Sequence, residues 1–279
     1  MKNQFLLVVL FLSCIINLNS CKTDKAEVFN EREFIKKLRI TKIVGTTYPS
    51  KFGKIDTTNG FLSSIYTYDT NGYVIKSEVF YNDEFMRDFS NREVHFFTNN
   101  YQYCRTEVYD YKNSLKNIYI DSLKDDRYIQ RKVFDEKNKL TDLIKYKYDS
   151  GNLIEILFYD STGKLISKEV ITYKDNKQVK STTYNENNAI KNKTISEHYD
   201  NYNFSTTYNK EGKIEYKSKK EFRNGLTTLW EYTSYSNEND STVYKEEYTY
   251  QDSTLYKQIL KYRNNEIESA VVYTISKRE

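Results

Sequence analysis

The chain has 279 residues, with 43 basic and 39 acidic side chains for a net charge of +4, and it carries 28 tyrosines, 15 phenylalanines and a single proline, Pro49. Basic residues alternate with acidic ones instead of forming a stripe, which argues against nucleic-acid binding, and so many rings argue against a disordered tail. Aromatic enrichment with almost no proline predicts a nearly all-β chain.

The amino terminus reads as an export signal. Lys2 precedes an apolar run from Phe5 to Ile16, too short to span a bilayer but suited to a secretory signal. The run ends in Leu18-Asn19-Ser20-Cys21, which resembles the lipobox of bacterial lipoproteins. The resemblance implies cleavage before Cys21, a diacylglycerol on its sulfur and acylation of the new amino terminus. Residues 1–20 are then a signal peptide and 21–39 a lipid-bearing tether with a short lead-in. Such a chain would sit at the bacterial cell envelope, anchored by lipid in the outer membrane, since two or three acyl chains hold a protein persistently. Asn30 followed by Glu31 to Leu38 predicts a short capped helix.

Residues 40–279 form a Tyr-rich β-repeat domain. One phrase recurs about every 25 residues: Phe134-Asp135 before Asn138 and Leu140, Tyr159-Asp160 before Gly163 and Leu165, Tyr184-Asn185 before Asn188 and Ile190, Tyr208-Asn209 before Gly212 and Ile214. Turn signals fall at half that interval, among them Gly60, Gly72, Asp83, Asn113, Asp125, Gly151, Asn176, Asn201, Gly225, Glu238, Asp252 and Asn264. The reading is a long antiparallel meander of about 16 to 18 short strands, a repeat-built curved or single-layer sheet. Within each phrase the aromatic is expected at the last inward strand position. The Asp or Asn bonds its own turn backbone, the Gly or Asn is left-handed, and the aliphatic begins the return strand.

Alternation sets Ile214, Tyr216 and Phe222 against Lys213, Glu215, Lys217, Lys219 and Glu221, Tyr244, Tyr248 and Tyr250 against Lys245, Glu247 and Thr249, and Tyr256, Leu260 and Tyr262 against Lys257 and Lys261, which predicts one buried and one charged face. Leu153 to Tyr159 is apolar on both faces, which predicts a central buried strand. A spanning barrel is not expected, because lipid-facing positions should be apolar throughout and here both faces carry Lys, Glu or Ser. An open meander would leave two edge strands, where a partner could add a strand by backbone pairing.

Tyr66-Thr67-Tyr68-Asp69-Thr70-Asn71-Gly72, Tyr146-Lys147-Tyr148-Asp149-Ser150-Gly151 and Phe158-Tyr159-Asp160-Ser161-Thr162-Gly163 resemble the Tyr-Asp repeats of RHS and YD-repeat proteins. Short β-hairpin repeats of the MORN type look comparable. The resemblance implies a curved β-sheet or spiral, in large members a shell, although this chain is too short to enclose a toxin domain.

Signals for chemistry are thin. His95 and His198 stand on unrelated strands without a nucleophile elbow, and Cys104 reads as a packed side chain. No transition-metal spacing, glycine-rich phosphate loop or cofactor motif appears, so no catalytic, metal or cofactor residue is assigned. The doublets Asp125-Asp126 and Glu246-Glu247 should point to opposite faces and make no site alone. Asp-Ser-Thr at 160–162, 240–242 and 252–254, and Asp-Thr-Thr at 56–58, resemble a bacterial O-glycosylation sequon. Trp230, with Tyr232, Tyr235, Tyr244 and Tyr248, is the candidate stacking platform for a sugar or an extended peptide. The function expected is a noncatalytic, lipid-anchored repeat protein presenting a protein- or glycan-interaction surface, touching the membrane through its lipid. The alternatives are an envelope enzyme acting on polysaccharide and an immunity-like accessory of a toxin or secretion system.

Overall fold

The computed structural model describes residues 35–80, 92–97, 103–110, 112–125, 127–224, 226–237, 240–251 and 255–278. Residues 1–34, with Cys21 and the start of the expected helix, lie outside the described residues, as do the turn residues Asp83, Gly225, Glu238 and Asp252. Of that helix the structure describes one turn at 35–37.

Nineteen strands follow among the described residues. They are β1 (Ile40–Lys51), β2 (Lys54–Ile55), β3 (Phe61–Tyr68), β4 (Val74–Phe80), β5 (Arg92–Phe97), β6 (Tyr103–Tyr109), β7 (Leu115–Lys124), β8 (Arg127–Asp135), β9 (Leu140–Asp149) and β10 (Asn152–Asp160). The second half comprises β11 (Leu165–Lys174), β12 (Lys177–Asn185), β13 (Ile190–His198), β14 (Tyr202–Asn209), β15 (Ile214–Arg223), β16 (Leu226–Asn237), β17 (Asp240–Gln251), β18 (Leu255–Arg263) and β19 (Glu266–Lys277). Each strand from β3 onward pairs antiparallel with the next, as the meander reading expects.

The meander does not stay open. β1 pairs with β19 along Ile43↔Ile275, Gly45↔Tyr273 and Thr47↔Val271, and its other edge pairs with β3 along Ile43↔Tyr66 and Gly45↔Ser64. The result is a closed barrel of 18 strands, with β2 a short arm on the end of β1. The two edge strands expected for strand addition are therefore absent: each holds the other. An even strand number is what lets an up-and-down chain close antiparallel. Gly45 sits at this seam because a Cβ there would come within 2.5 Å of Ser64 Oγ and 3.1 Å of the Tyr273 ring.

Burial alternates with period two, as in buried Arg131, exposed Lys132, buried Val133 and buried Ile144, exposed Lys145. Side chains converge on the concave side of a curved sheet and splay on the convex side, so the more buried face lines the lumen. Following the register around the ring puts Ile43, Ser64, His95, Thr106, Ile144 and Ile156 on that face. At about 4.8 Å per strand and a tilt near 40°, a regular ring of 18 strands would be roughly 35 Å across, wider than one layer of side chains can fill. The substantial contacts of each strand are accordingly with its ladder neighbours. Buried hydrophobic side chains gather in two clusters, Ile144, Ile156 and Ile171 on β9 to β11, and Ile35, Ile40, Ile43 and Tyr68 where the chain enters the barrel, while a largely polar buried patch with Glu93, Thr106, Asp121 and Arg131 crosses β5 to β8. β10 is the expected doubly buried strand, with Ile156 inward at 0% exposure and Leu157 outward at 8%.

The repeat phrase is a turn device. Asp110, Asp135, Asp160, Asn185 and Asn209 each direct one side-chain oxygen at two backbone N–H groups, two and four residues on, at 2.8–3.0 Å. The residue three places on is left-handed: Asn113, Asn138, Gly163, Asn188 and Gly212 have φ between 58° and 85°. Gly163, at φ +85°, has open space around it and is there for its backbone alone. These five turns share the rim opposite the one where the chain enters. The turns at Ser150-Gly151 and Asp175-Asn176, on the near rim, are two-residue connections with φ positive at both positions, the hairpin geometry that matches strand twist.

Placing these turns overturns one expectation. Phe134, Tyr159, Tyr184 and Tyr208 close their hairpins on the outer face, not inward, whereas Tyr68 faces the lumen and is 6% exposed. Handedness is the reason. A hairpin of fixed hand that points to the opposite rim, while the meander progresses the same way around the ring, exchanges its inner and outer faces. The Asp69 turn is on the near rim and the others on the far rim.

Removing the turn acceptor by Asn185→Ala should cost about 1–2 kcal/mol through two lost backbone hydrogen bonds. Asn185→Asp should be near neutral, because Asp160 does the same work. Urea denaturation midpoints with an unchanged slope check both.

Candidate ligand platform in the barrel lumen

Two adjacent rows of side chains cross β15 to β18 on the lumen face. The row nearer the chain's own end of the barrel reads Lys220, Trp230, Glu246, Lys261, and the next reads Ser218, Tyr232, Tyr244, Arg263. Each residue of a row is the direct cross-strand partner of its neighbour, so their spacing is set by the ladder.

Tyr216 and Tyr232 stack with ring centroids 5.4 Å apart, Tyr232 and Tyr244 follow at 6.2 Å and a 43° tilt, and the Arg263 guanidinium lies over Tyr244 at 5.4 Å. Trp230 Nε1 donates to Ser218 Oγ at 2.9 Å, which fixes the indole beside the tyrosines. Glu246 is held from both sides: Lys261 Nζ stands 3.0 Å from one oxygen, and Tyr248 Oη donates to the other. Arg263 also bonds Glu268 at 2.8 Å. Burial, reinforced by its two ring neighbours, pushes the Tyr232 hydroxyl well above the usual phenol range, so it remains a neutral donor.

Of the five aromatics expected here, the structure brings together Trp230, Tyr232, Tyr244 and Tyr248 and separates Tyr235, which faces outward under Lys217. Tyr216 and Arg263 complete the platform. They are remote in sequence, and only the ladder register brings them alongside. The doublet Glu246-Glu247 splits as expected, since Glu247 on the outer wall binds Lys245 and Tyr262.

The remaining candidates are packed side chains. His198 bonds Gln178 O and Asn203 Oδ1. Cys104 Sγ lies 3.5 Å from Phe96 O, and burial raises its thiol pKa, which suppresses the reactive thiolate. His95 is 8% exposed, 3.3 Å from Thr106 Oγ1 and 3.6 Å from Glu93 Oε2, and burial lowers its pKa to about 4. Nearby, Asp121 and Arg131 form a two-pronged ion pair at 2.8 and 2.9 Å, with the Asp121 carboxyl pushed up by burial against the pull of Arg131. No group of three or more His, Cys, Asp or Glu among the described residues is placed to hold a metal ion. Thr162 and Thr58 of the sequon-like turns donate to Asp160 and Asp56, so turn chemistry accounts for them.

Fold and platform define a closed antiparallel β-barrel with an aromatic, charge-flanked lumen wall. No family model and no curated protein matches the chain. Among solved structures it is similar to a porin-like protein from Bacteroides uniformis, at 11% identity over 86% of this chain and 97% of that one, with a TM-score of 0.45. A protein of unknown function from Bacteroides fragilis is similar at 12% identity over 47% and 91%, TM-score 0.26. A Photorhabdus luminescens Tc holotoxin pore is similar at 14% over 77% and 15%, TM-score 0.27. At these scores the similarities carry no argument about what the chain does.

His95 gives a pH test of the lumen wall. Its folded pKa lies below the unfolded 6.5, so only the unfolded chain gains a proton between pH 6.5 and 4, and stability should fall by about 2–3 kcal/mol over that window as pH drops. His95→Gln should flatten this segment of the stability profile, measured by urea unfolding at fixed pH steps.

Proposed function

We propose that this chain is a lipid-anchored, noncatalytic barrel of the bacterial envelope that binds a glycan along the aromatic rows of its lumen. The observation that carries the reading is the pairing of the Tyr216-Tyr232-Tyr244 stack with the row of Lys220, Trp230, Glu246 and Lys261. Sugar rings present apolar C–H faces that stack on aromatic rings, and hydroxyls that need donors and acceptors at their edges. A stack of rings beside a row of ammonium and carboxylate groups offers both.

The Cys21 lipobox resemblance supports anchoring by lipid in place of spanning strands. The outer wall supports it too, because exposed Lys132, Lys145, Lys147 and Lys180 lie where a spanning barrel needs an apolar band. Among the described residues no helix is long and apolar enough to cross a membrane.

Trp230 is the single tryptophan of the chain, so its emission reports this site alone. Titration with soluble peptidoglycan fragments, capsular oligosaccharides and neutral glucans should give a saturable change with one of these classes. Tyr232→Ala or Tyr244→Ala should weaken it at least tenfold, while Tyr235→Ala on the outer wall leaves it intact. No response to any class sinks the glycan reading, and progressive shortening of the bound oligosaccharide favours the enzyme alternative. Cys21→Ser should abolish incorporation of labelled palmitate in growing cells and release the protein from membranes.

A further inference from the structure

Independently of the lumen, the outer wall carries its own pattern. Lys145, Lys168, Lys193 and Lys217 recur once per 23 to 25 residues, on β9, β11, β13 and β15, all on the outer face. Three stand over tyrosine rings: Lys145 over Tyr159 at 5.2 Å, Lys168 over Tyr184 at 5.3 Å and Lys217 over Tyr235 at 5.7 Å. Lys193 is the direct cross-strand partner of Tyr208. Among the carboxylates sharing this wall, Glu155 is bridged by Lys147 at 2.5 Å, Glu221 by Lys219 at 2.6 Å, and Glu197 accepts from the Tyr199 hydroxyl at 2.7 Å. None of the four repeat lysines has a carboxylate partner among the described residues.

We infer that this wall is a docking surface for an acidic polysaccharide laid across the strands. Ammonium groups two strands apart are separated by about 10 Å across the sheet. That spacing suits a chain whose charges are sparse, and not the dense phosphate array of a nucleic acid. With Lys132 on β8 the lysines extend across eight of the eighteen strands, nearly half the circumference. A flat bilayer touches a convex wall only along a strip, whereas a flexible chain follows the curve. The tyrosines add what a purely electrostatic patch lacks, aromatic rings packed beside the charges.

The test uses the full mature protein and immobilised hyaluronan, a polymer with one carboxylate on every second sugar, against dextran, duplex DNA and anionic phosphatidylglycerol vesicles. Hyaluronan should retain the protein, dextran should not, and retention should fall steeply with salt. Replacing Lys145, Lys168, Lys193 and Lys217 together by Gln should weaken retention at least tenfold, and replacing all four by Arg should restore it. Tyr159→Ala with Tyr184→Ala should weaken retention at unchanged charge. Removing the same number of charges at the far-rim turns, Lys112, Lys137, Lys139 and Lys164 to Gln, should leave most of it. Trp230 emission should not change on binding, which separates this surface from the lumen platform. The inference is overturned by equal loss in the turn variant, by loss in the Arg variant, or by retention on DNA or vesicles as strong as on hyaluronan.

Discussion

Everything in this molecule depends on the hydrogen-bond ladder that closes β1 between β3 and β19. The buried hydrophobic side chains form two separate clusters instead of one continuous core, so no single core holds all the strands together from within. Order comes from neighbour to neighbour, through continuous backbone pairing and through rows of side chains packed along each face. Such an arrangement is only as good as its ends, and an unpaired first or last strand would fray and invite foreign strands. Joining residues more than two hundred positions apart, as at Ile43↔Ile275, removes both ends at once. Gly45 and the Tyr273 ring over it show what the seam requires: one position where the backbone gives up its side chain so that a neighbour can lie flat.

The second constraint is the turn. In most hairpins of a packed protein the core decides register, but here the turn residues must, because so little is buried. Asp110, Asp135, Asp160, Asn185 and Asn209 close the same geometry with the same two hydrogen bonds, and the following left-handed residue is Asn or Gly each time. Carboxylate and amide oxygens are interchangeable in this role. The charge at Asp160 is therefore incidental to the fold, although the Thr162 hydroxyl bond, followed by the backbone bonds it accepts, holds its pKa low.

This division explains what the sequence discloses. Turn chemistry is local, and the phrase around Asp160 specifies its turn from five consecutive residues, so the strand count and the antiparallel meander can be read directly. Alternation is local as well, and it correctly separates Tyr244 from Lys245, but it names the wrong face on β18, where the register puts Lys261 in the lumen and Leu260 and Tyr262 on the outer wall. Closure is not local. Nothing in Ile40 to Lys51 says that its partners are residues 266–277, and with two amphipathic faces of similar polarity, alternation cannot say which one is concave. The inversion between Tyr68 and Tyr159 has the same origin, since the two phrases look alike and differ only in the rim at which they turn. The lumen platform was half legible for this reason: Trp230, Tyr232, Tyr244 and Tyr248 cluster along the chain, while Tyr216 and Arg263 join them through register alone.

A single-layer wall also separates two kinds of surface by no more than the thickness of a backbone. On β15, Tyr216, Ser218 and Lys220 face inward while Lys217 and Lys219 face outward, all within five residues. Because the ladder is made by backbone atoms and register by the turns, either set can change without moving the other. Across β11 to β14 the lumen face is lined with small polar groups such as Ser167, Ser181, Thr194 and Thr207, whereas across β15 to β18 it becomes aromatic. A repeat built this way fixes architecture in its turns and leaves its two faces free to take on separate binding tasks. The aromatic rows inside and the lysine-tyrosine pairs outside follow from that freedom.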